Sequence, residues 1–221
     1  PQVVEVEDEV AAPEPVPVER LRGYLALSAR YTLGLVRAVG WRLRLGPLTL
    51  LQMGEPRLEA DAVAWPIEGG LLAAEPGGEL EAGCRAGRLR AVLRGYRPRL
   101  PRPLYDLTQL PYHHAVSRLV LLQLRGREPL PGAPAEPRAR LLAGALDLAL
   151  CAAVSRRRLR ALPAVYAGYH LVAWSLSGQT LGGALCGLRV LAVDGSRVTP
   201  AQALVRLLAG DRAAGTAVVR A

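Results

Sequence analysis

Few residues in this chain are spaced for chemistry, and most of those that are lie in its last two fifths. Arg140 opens an apolar run at residues 141–154 that only Asp147 interrupts, and seven residues put the two charges two helical turns apart on one face. A carboxylate inside an apolar helix is costly unless it meets a partner or water, so Asp147 is a candidate functional charge. Its nearest expected partners are Arg140 and His170, the latter inside a second apolar run at 161–177. The same residues have a plainer use, with Arg140 snorkelling to a lipid surface and Asp147 fixing helix packing. His113 and His114 are adjacent, and neighbours on a helix diverge by about 100°, which does not converge on a metal ion. Cys84, Cys151 and Cys186 are odd in number, lack C-x-x-C spacing and read as buried thiols. Nucleophile-elbow, zinc-protease, P-loop and dinucleotide patterns are absent, and the glycine runs at 68–70 and 76–78 read as turns. No covalent catalysis, cofactor or metal is expected.

Composition limits the partners. The 221 residues carry a net charge of +9 with 51% hydrophobic residues, enough to build a sizeable core and too many for a disordered chain. All basic residues are Arg, since Lys does not occur, so Arg as such is weak evidence for Arg-specific recognition. The charge is uneven: residues 1–19 hold six carboxylates and no Arg, whereas residues 138–221 hold 11 Arg against three Asp and no Glu. Arg is scattered and aromatic residues make up only 5%, which argues against nucleic acid. The one dense basic run, Arg156, Arg157, Arg158 and Arg160, lies between the two apolar segments and suits an anionic membrane surface. The acidic start does not read as a signal peptide.

These residues must be positioned by two regions. Residues 1–19 read as a flexible acidic tail, and apolar positions from Arg20 to Val39 fall near a helical period. Between Trp41 and Arg94 the period becomes two, with turns at Gly46-Pro47, Glu55-Pro56, 76–78 and Ala86-Gly87, giving strands near 41–45, 48–53, 58–63, 71–74, 79–84 and 88–94. Residues 104–124 read as a helix broken at Pro111, with Leu107, Leu110, Val116, Leu119, Val120 and Leu124 as its core stripe. Residues 20–127 are thus expected to form an α+β domain, an antiparallel meander with flanking helices, whose sheet could enclose an apolar pocket lined by Trp41, Trp65 and Tyr96. Residues 128–137 contain four prolines and read as a linker. Residues 138–221 follow as a helical region, and Asp194-Gly195 as a hairpin turn between 190–193 and Val198.

The last region carries a distinctive run. Gly178-Gln-Thr-Leu-Gly182, then Gly187-Leu-Arg-Val190, precede Asp211 near the end. With Arg140 at a helix start, this resembles the RDD family of small multi-spanning membrane domains over roughly residues 138–221. The resemblance implies Arg140, Asp147 and Asp211 as the named charged positions, and Gly178, Thr180, Gly182, Gly187 and Arg189 as the motif. It also implies an integral membrane protein, with ion or small-solute transport among the suggested roles. The whole chain is therefore expected to be an α+β domain, facing the cytoplasm, joined to a short α-helical membrane hairpin. The lipid bilayer is its expected partner, a homo-oligomer is possible, and anchoring or small-solute handling is its expected role. The alternative is a soluble or peripheral module with an apolar ligand in the α+β domain.

Overall fold

The computed structural model describes residues 3–32 and 34–221, so residues 1–2 of the expected tail and residue 33 of the expected helix lie outside it. The chain divides into two compact units that meet in sequence at Arg125 and Gly126.

The first unit begins with a strand, β1 (Val4–Ala11), where a flexible tail was expected. Val4, Val6 and Val10 turn inward while Glu5, Glu7 and Glu9 stay exposed, the alternation of a half-buried strand. Two short helices follow, α1 (Val18–Leu21) and α2 (Tyr24–Arg30). The single helix expected to Val39 ends here: Gly34 adopts φ +80° and Val36–Val39 is strand β2. Next come β3 (Arg42–Leu45), β4 (Leu48–Met53), β5 (Arg57–Leu58), β6 (Ala62–Gly69), β7 (Glu79–Arg85) and β8 (Arg88–Tyr96). They form one antiparallel sheet in the order β1-β8-β7-β6-β4-β3-β2, with β5 pairing on β6. The segment expected as a strand at 71–74 is loop, with one bridge between Ala73 and Pro98 and amide bonds from Leu71 and Leu72 to the Thr49 and Leu50 carbonyls.

Register shifts at Leu43/Arg44 and Gln52/Met53 bend the sheet. At Gly70 (φ +122°) a Cβ would lie 2.5 Å from the Leu50 carbonyl oxygen, so only glycine lets the chain pass there. A short helix α3 (Arg102–Leu104) and a π-helical turn (Tyr105–Gln109) lead into α4 (Leu110–Arg125). Pro111 does not break the helix; it is the second residue of α4, directly after the π-helical turn Tyr105–Gln109, where the regular backbone bonding is already interrupted. The expected stripe packs as Val116, Leu119, Val120 and Leu124, but Leu107 is 77% exposed, because the π turn shifts it out of phase.

The second unit contains α5 (Pro137–Ser155), a 3-10 turn (Leu159–Ala161), α6 (Leu162–Leu176), α7 (Leu181–Leu185), β9 (Leu188–Ala192), α8 (Pro200–Ala213) and β10 (Thr216–Arg220). β9 pairs antiparallel with β10, not with residues around Val198. Ser196 N–H and Oγ–H do bond to Asp194 Oδ1, so Asp194-Gly195 is a turn, but it leads into α8 instead of a hairpin. Pro134 of the expected linker bridges to Val219 at the edge of this small sheet.

The expected membrane hairpin is overturned. Among the described residues no helix is long and apolar enough to cross a membrane. The 19 residues of α5 include Arg138, Arg140 and Asp147, and the 15 of α6 reach only about 22 Å at 1.5 Å per residue, against a hydrocarbon core of about 30 Å.

Candidate functional site

Asp147 with His170, and Asp211 with Arg140 and Arg206, form two clusters at one cleft of about 480 Å³, and the partners differ from those expected on α5 alone. Asp147, 3% exposed, does not pair with Arg140. Its Oδ1 accepts the backbone N–H of Gly182 at 2.8 Å and the hydroxyl of Tyr169 at 2.9 Å. That hydroxyl in turn accepts the N–H of Leu181 at 2.6 Å. The first amides of α7 are thus satisfied by side chains of α5 and α6, and Thr180 Oγ1 takes the N–H of Gly183 at 3.0 Å. Asp147 acts as a helix cap supplied from a distant part of the chain, its negative charge set against the positive end of α7.

The approach needs glycine. A Cβ on Gly182 would sit 2.2 Å from the Ala143 carbonyl oxygen and 2.9 Å from Asp147 Oδ1. Gly178, at φ +72°, would place a Cβ 2.7 Å from the Val190 carbonyl oxygen, and Gly187 has φ +63°. Gly182 therefore lets α7 lie close against α5, and Gly178 lets the turn before α7 lie close against β9. Arg189 lies on the exposed side of β9.

His170 is the buried neighbour of Asp147. Its Nδ1 lies 2.9 Å from the Tyr166 carbonyl oxygen, which assigns the proton to that nitrogen, and its Nε2 lies 3.7 Å from Asp147 Oδ2, beyond hydrogen-bond reach. Tyr166, Tyr169 and Trp174 rings surround it at 4.0–5.1 Å. Burial lowers its pKa, with the Tyr166 carbonyl and Asp147 pulling the other way, so the imidazole is held neutral.

Asp211 bridges two arginines. Its Oδ2 takes Arg140 Nη2 at 3.0 Å and its Oδ1 takes Arg206 Nη1 at 2.7 Å. Arg206, with a side chain only 8% exposed, also bonds to Thr216 Oγ1 at 2.8 Å and lies 4.7 Å over the Trp174 ring. Its burial lowers the guanidinium pKa, against the opposing pull of Asp211. Arg206, Tyr169 and the α7 amides were not evident from the sequence, since none belongs to a spaced motif.

The first unit holds a second, separate site. A cavity of about 170 Å³ lies between α2, α4 and the concave face of the sheet, and Tyr96 lines it. Trp65 does not: it is fully buried, its ring centroid 6.3 Å from that of Tyr24. Trp41 lies instead in a surface groove with Arg42, Arg44 and Glu68. Burial pushes the Tyr24 and Tyr96 phenols up in pKa, so both stay protonated. His113 and His114 meet Asp8 of β1, with His114 Nδ1 at 2.7 Å from Asp8 Oδ1. No cluster of three metal-ligating side chains occurs among the described residues.

The second unit is thus a module of helices and a two-stranded sheet in which Asp147 is buried, the Arg206 side chain nearly so, and several large apolar residues of α5 and α6 are exposed. The RDD family model matches residues 159–211, from the 3-10 turn to Asp211, so this part of the chain is similar to a family that is generally membrane-associated. Arg140 and Asp147 precede the matched segment. No curated protein matches the chain.

Proposed function

We propose that the protein is membrane-associated through its second unit, which rests on the lipid surface by the outward faces of α5 and α6 and so anchors the α+β unit. The observation that carries this reading is the inverted polarity of α5. Ala143, Asp147, Cys151 and Ser155, spaced by four, are its buried stripe, while the adjacent stripe Leu142, Leu146, Leu150 and Val154 is exposed at 57%, 39%, 36% and 68%. A helix folded for water alone turns its leucines in and its aspartate out. Val172 and Leu176 of α6 and Leu159 before it are exposed as well. The exposed Arg156, Arg157, Arg158 and Arg160 lie between the two helices, and each basic residue near an anionic surface contributes about 1 kcal/mol. Helices too short to span can still lie in the interface with one face in lipid. Ion or solute handling would have to pass through Asp147, whose Oδ1 is taken by Gly182 and Tyr169, so the reading stops at membrane association.

Vesicle flotation tests it. The chain is expected to float with mixed phosphatidylcholine–phosphatidylglycerol vesicles, less with phosphatidylcholine alone, and to lose binding in the double variant Leu142→Arg/Val154→Arg. A chain that stays at the bottom of the gradient with both vesicle types overturns the reading and favours a soluble module.

A further inference from the structure

From the cavity of the first unit we infer a binding site for a compact, uncharged ligand built on a single aromatic ring. The void arises because short side chains face the sheet from the helices: Ala29 on α2 and Ser117 on α4 stand where a larger residue would close the core. The sheet cannot collapse onto them, because its bends at Leu43/Arg44 and Gln52/Met53 hold β3 and β4 away. An unfilled apolar void costs a fold stability, which a ligand of matching shape restores.

The walls indicate the class of ligand. Most polar groups there are already engaged: the Tyr24 hydroxyl and Ser117 Oγ share a hydrogen bond of 2.8 Å, the Tyr96 hydroxyl donates to the Leu72 carbonyl at 2.7 Å, and Thr32 Oγ1 donates to the Ala29 carbonyl at 2.6 Å, whereas His113 Nε2 in the same wall is buried without a hydrogen-bond partner. Water entering the cavity finds few partners besides that nitrogen, and an ionised group finds no compensating charge, since burial lowers the His113 pKa and favours its neutral form. The Tyr24, Tyr96 and Tyr105 rings border the space and suit a flat apolar molecule. Size limits it further. Drug-sized ligands occupy roughly 300–1,000 Å³, whereas a dry apolar cavity of about 150 Å³ accepts benzene, so about 170 Å³ admits one ring with a small substituent. Leu43 and Leu50, both half-buried, border the side through which it would enter.

The test uses the full chain with toluene and benzoate, molecules of similar shape that differ in charge, read by saturation-transfer NMR and by thermal unfolding of the first unit without vesicles. Toluene is expected to bind and to raise the unfolding temperature, benzoate to bind at least about tenfold more weakly, since an ionised carboxylate would be buried unpaired. Ala29→Leu fills the void from within and Leu50→Trp blocks the entry, and each is expected to weaken toluene about tenfold or more by removing space. Leu50→Trp decides the matter if Ala29→Leu does not fold. Absence of toluene binding, equal binding of benzoate, or undiminished binding in a folded variant overturns the assignment. Vesicle binding by the second unit is independent of every one of these outcomes.

Discussion

The backbone N–H of Gly182 donates to Asp147 Oδ1 at 2.8 Å, across 35 residues of sequence, so a carboxylate on one helix caps another. This contact explains in one stroke a buried charge in an apolar helix and a glycine in the segment it meets.

Gly182→Ala should destabilise the second unit by about 2–4 kcal/mol, since its Cβ would collide with the Ala143 backbone, which cannot move as a side-chain tip could. Gly144→Ala, also within reach of α5's packing but with open space around it, should instead stabilise by about 0.5–1 kcal/mol through helix propensity. Chemical unfolding followed by far-UV circular dichroism compares the two, and a similar loss in both would show that the close approach of α7 to α5 is not what the glycine serves.

Asp147→Ala should leave the Gly182 amide and the Tyr169 hydroxyl without their buried acceptor, costing about 1–3 kcal/mol. Asp194→Ala loses local turn bonds to Ser196 and should cost under about 1 kcal/mol. Hydrogen exchange at the Gly182 amide is the direct readout: it should speed up in Asp147→Ala and be unaltered in Asp194→Ala.

Removing Asp211 leaves the nearly buried Arg206 facing Arg140 with no carboxylate between them, and Asp211→Asn should cost about 3 kcal/mol. Arg140→Ala should cost under about 1 kcal/mol, because its side chain is 48% exposed and solvent screens the pair. Equal losses in urea unfolding would mean that Arg206 is held by Thr216 and Trp174 and does not depend on Asp211.

Acid should loosen the second unit through His170. Its native pKa lies below the ordinary value of about 6.5, so the unfolded imidazole takes up its proton first. The stability it gives is complete above about pH 6.5 and is lost as pH falls from there toward the native value. Unfolding measured between pH 8 and 5 should show this decline in the parent chain and a flatter profile in His170→Gln. An unchanged slope in the variant would place the acid sensitivity on other groups.

The sheet was readable from alternation where the residues were apolar enough to show it, as in β4 and β8. β1 carries the same period in Val4, Val6 and Val10, but its intervening carboxylates gave it the composition of a solvated tail. The early end of α2 was hidden because an apolar spacing near 3.6 says nothing of the left-handed turn at Gly34. In the second unit the run from Gly178 to Val190 was legible as a family motif, and residues 159–211 match that family. The charge pairing was not, because helical spacing relates residues on one element, whereas Arg140 meets Asp211 across 71 residues. Helix length is not legible for a related reason: apolar composition alone cannot separate a segment that spans lipid from one that turns its leucines outward.

The acidic first strand has a consequence for how the α+β unit is kept from its neighbours. β1 pairs with β8 along its length as the last strand of the sheet, and Glu7 and Glu9 reach Arg90 and Arg88 across the pairing, so the sheet ends on that side in an acidic strip whose charge complements the strand beneath. Peeling that strip away would bare a long hydrogen-bonding edge studded with arginines, and the matching strip of another molecule could then fit it as well as the chain's own. The same eight residues that shield the sheet when held in place would, once released, be the means of linking one copy to the next by strand exchange.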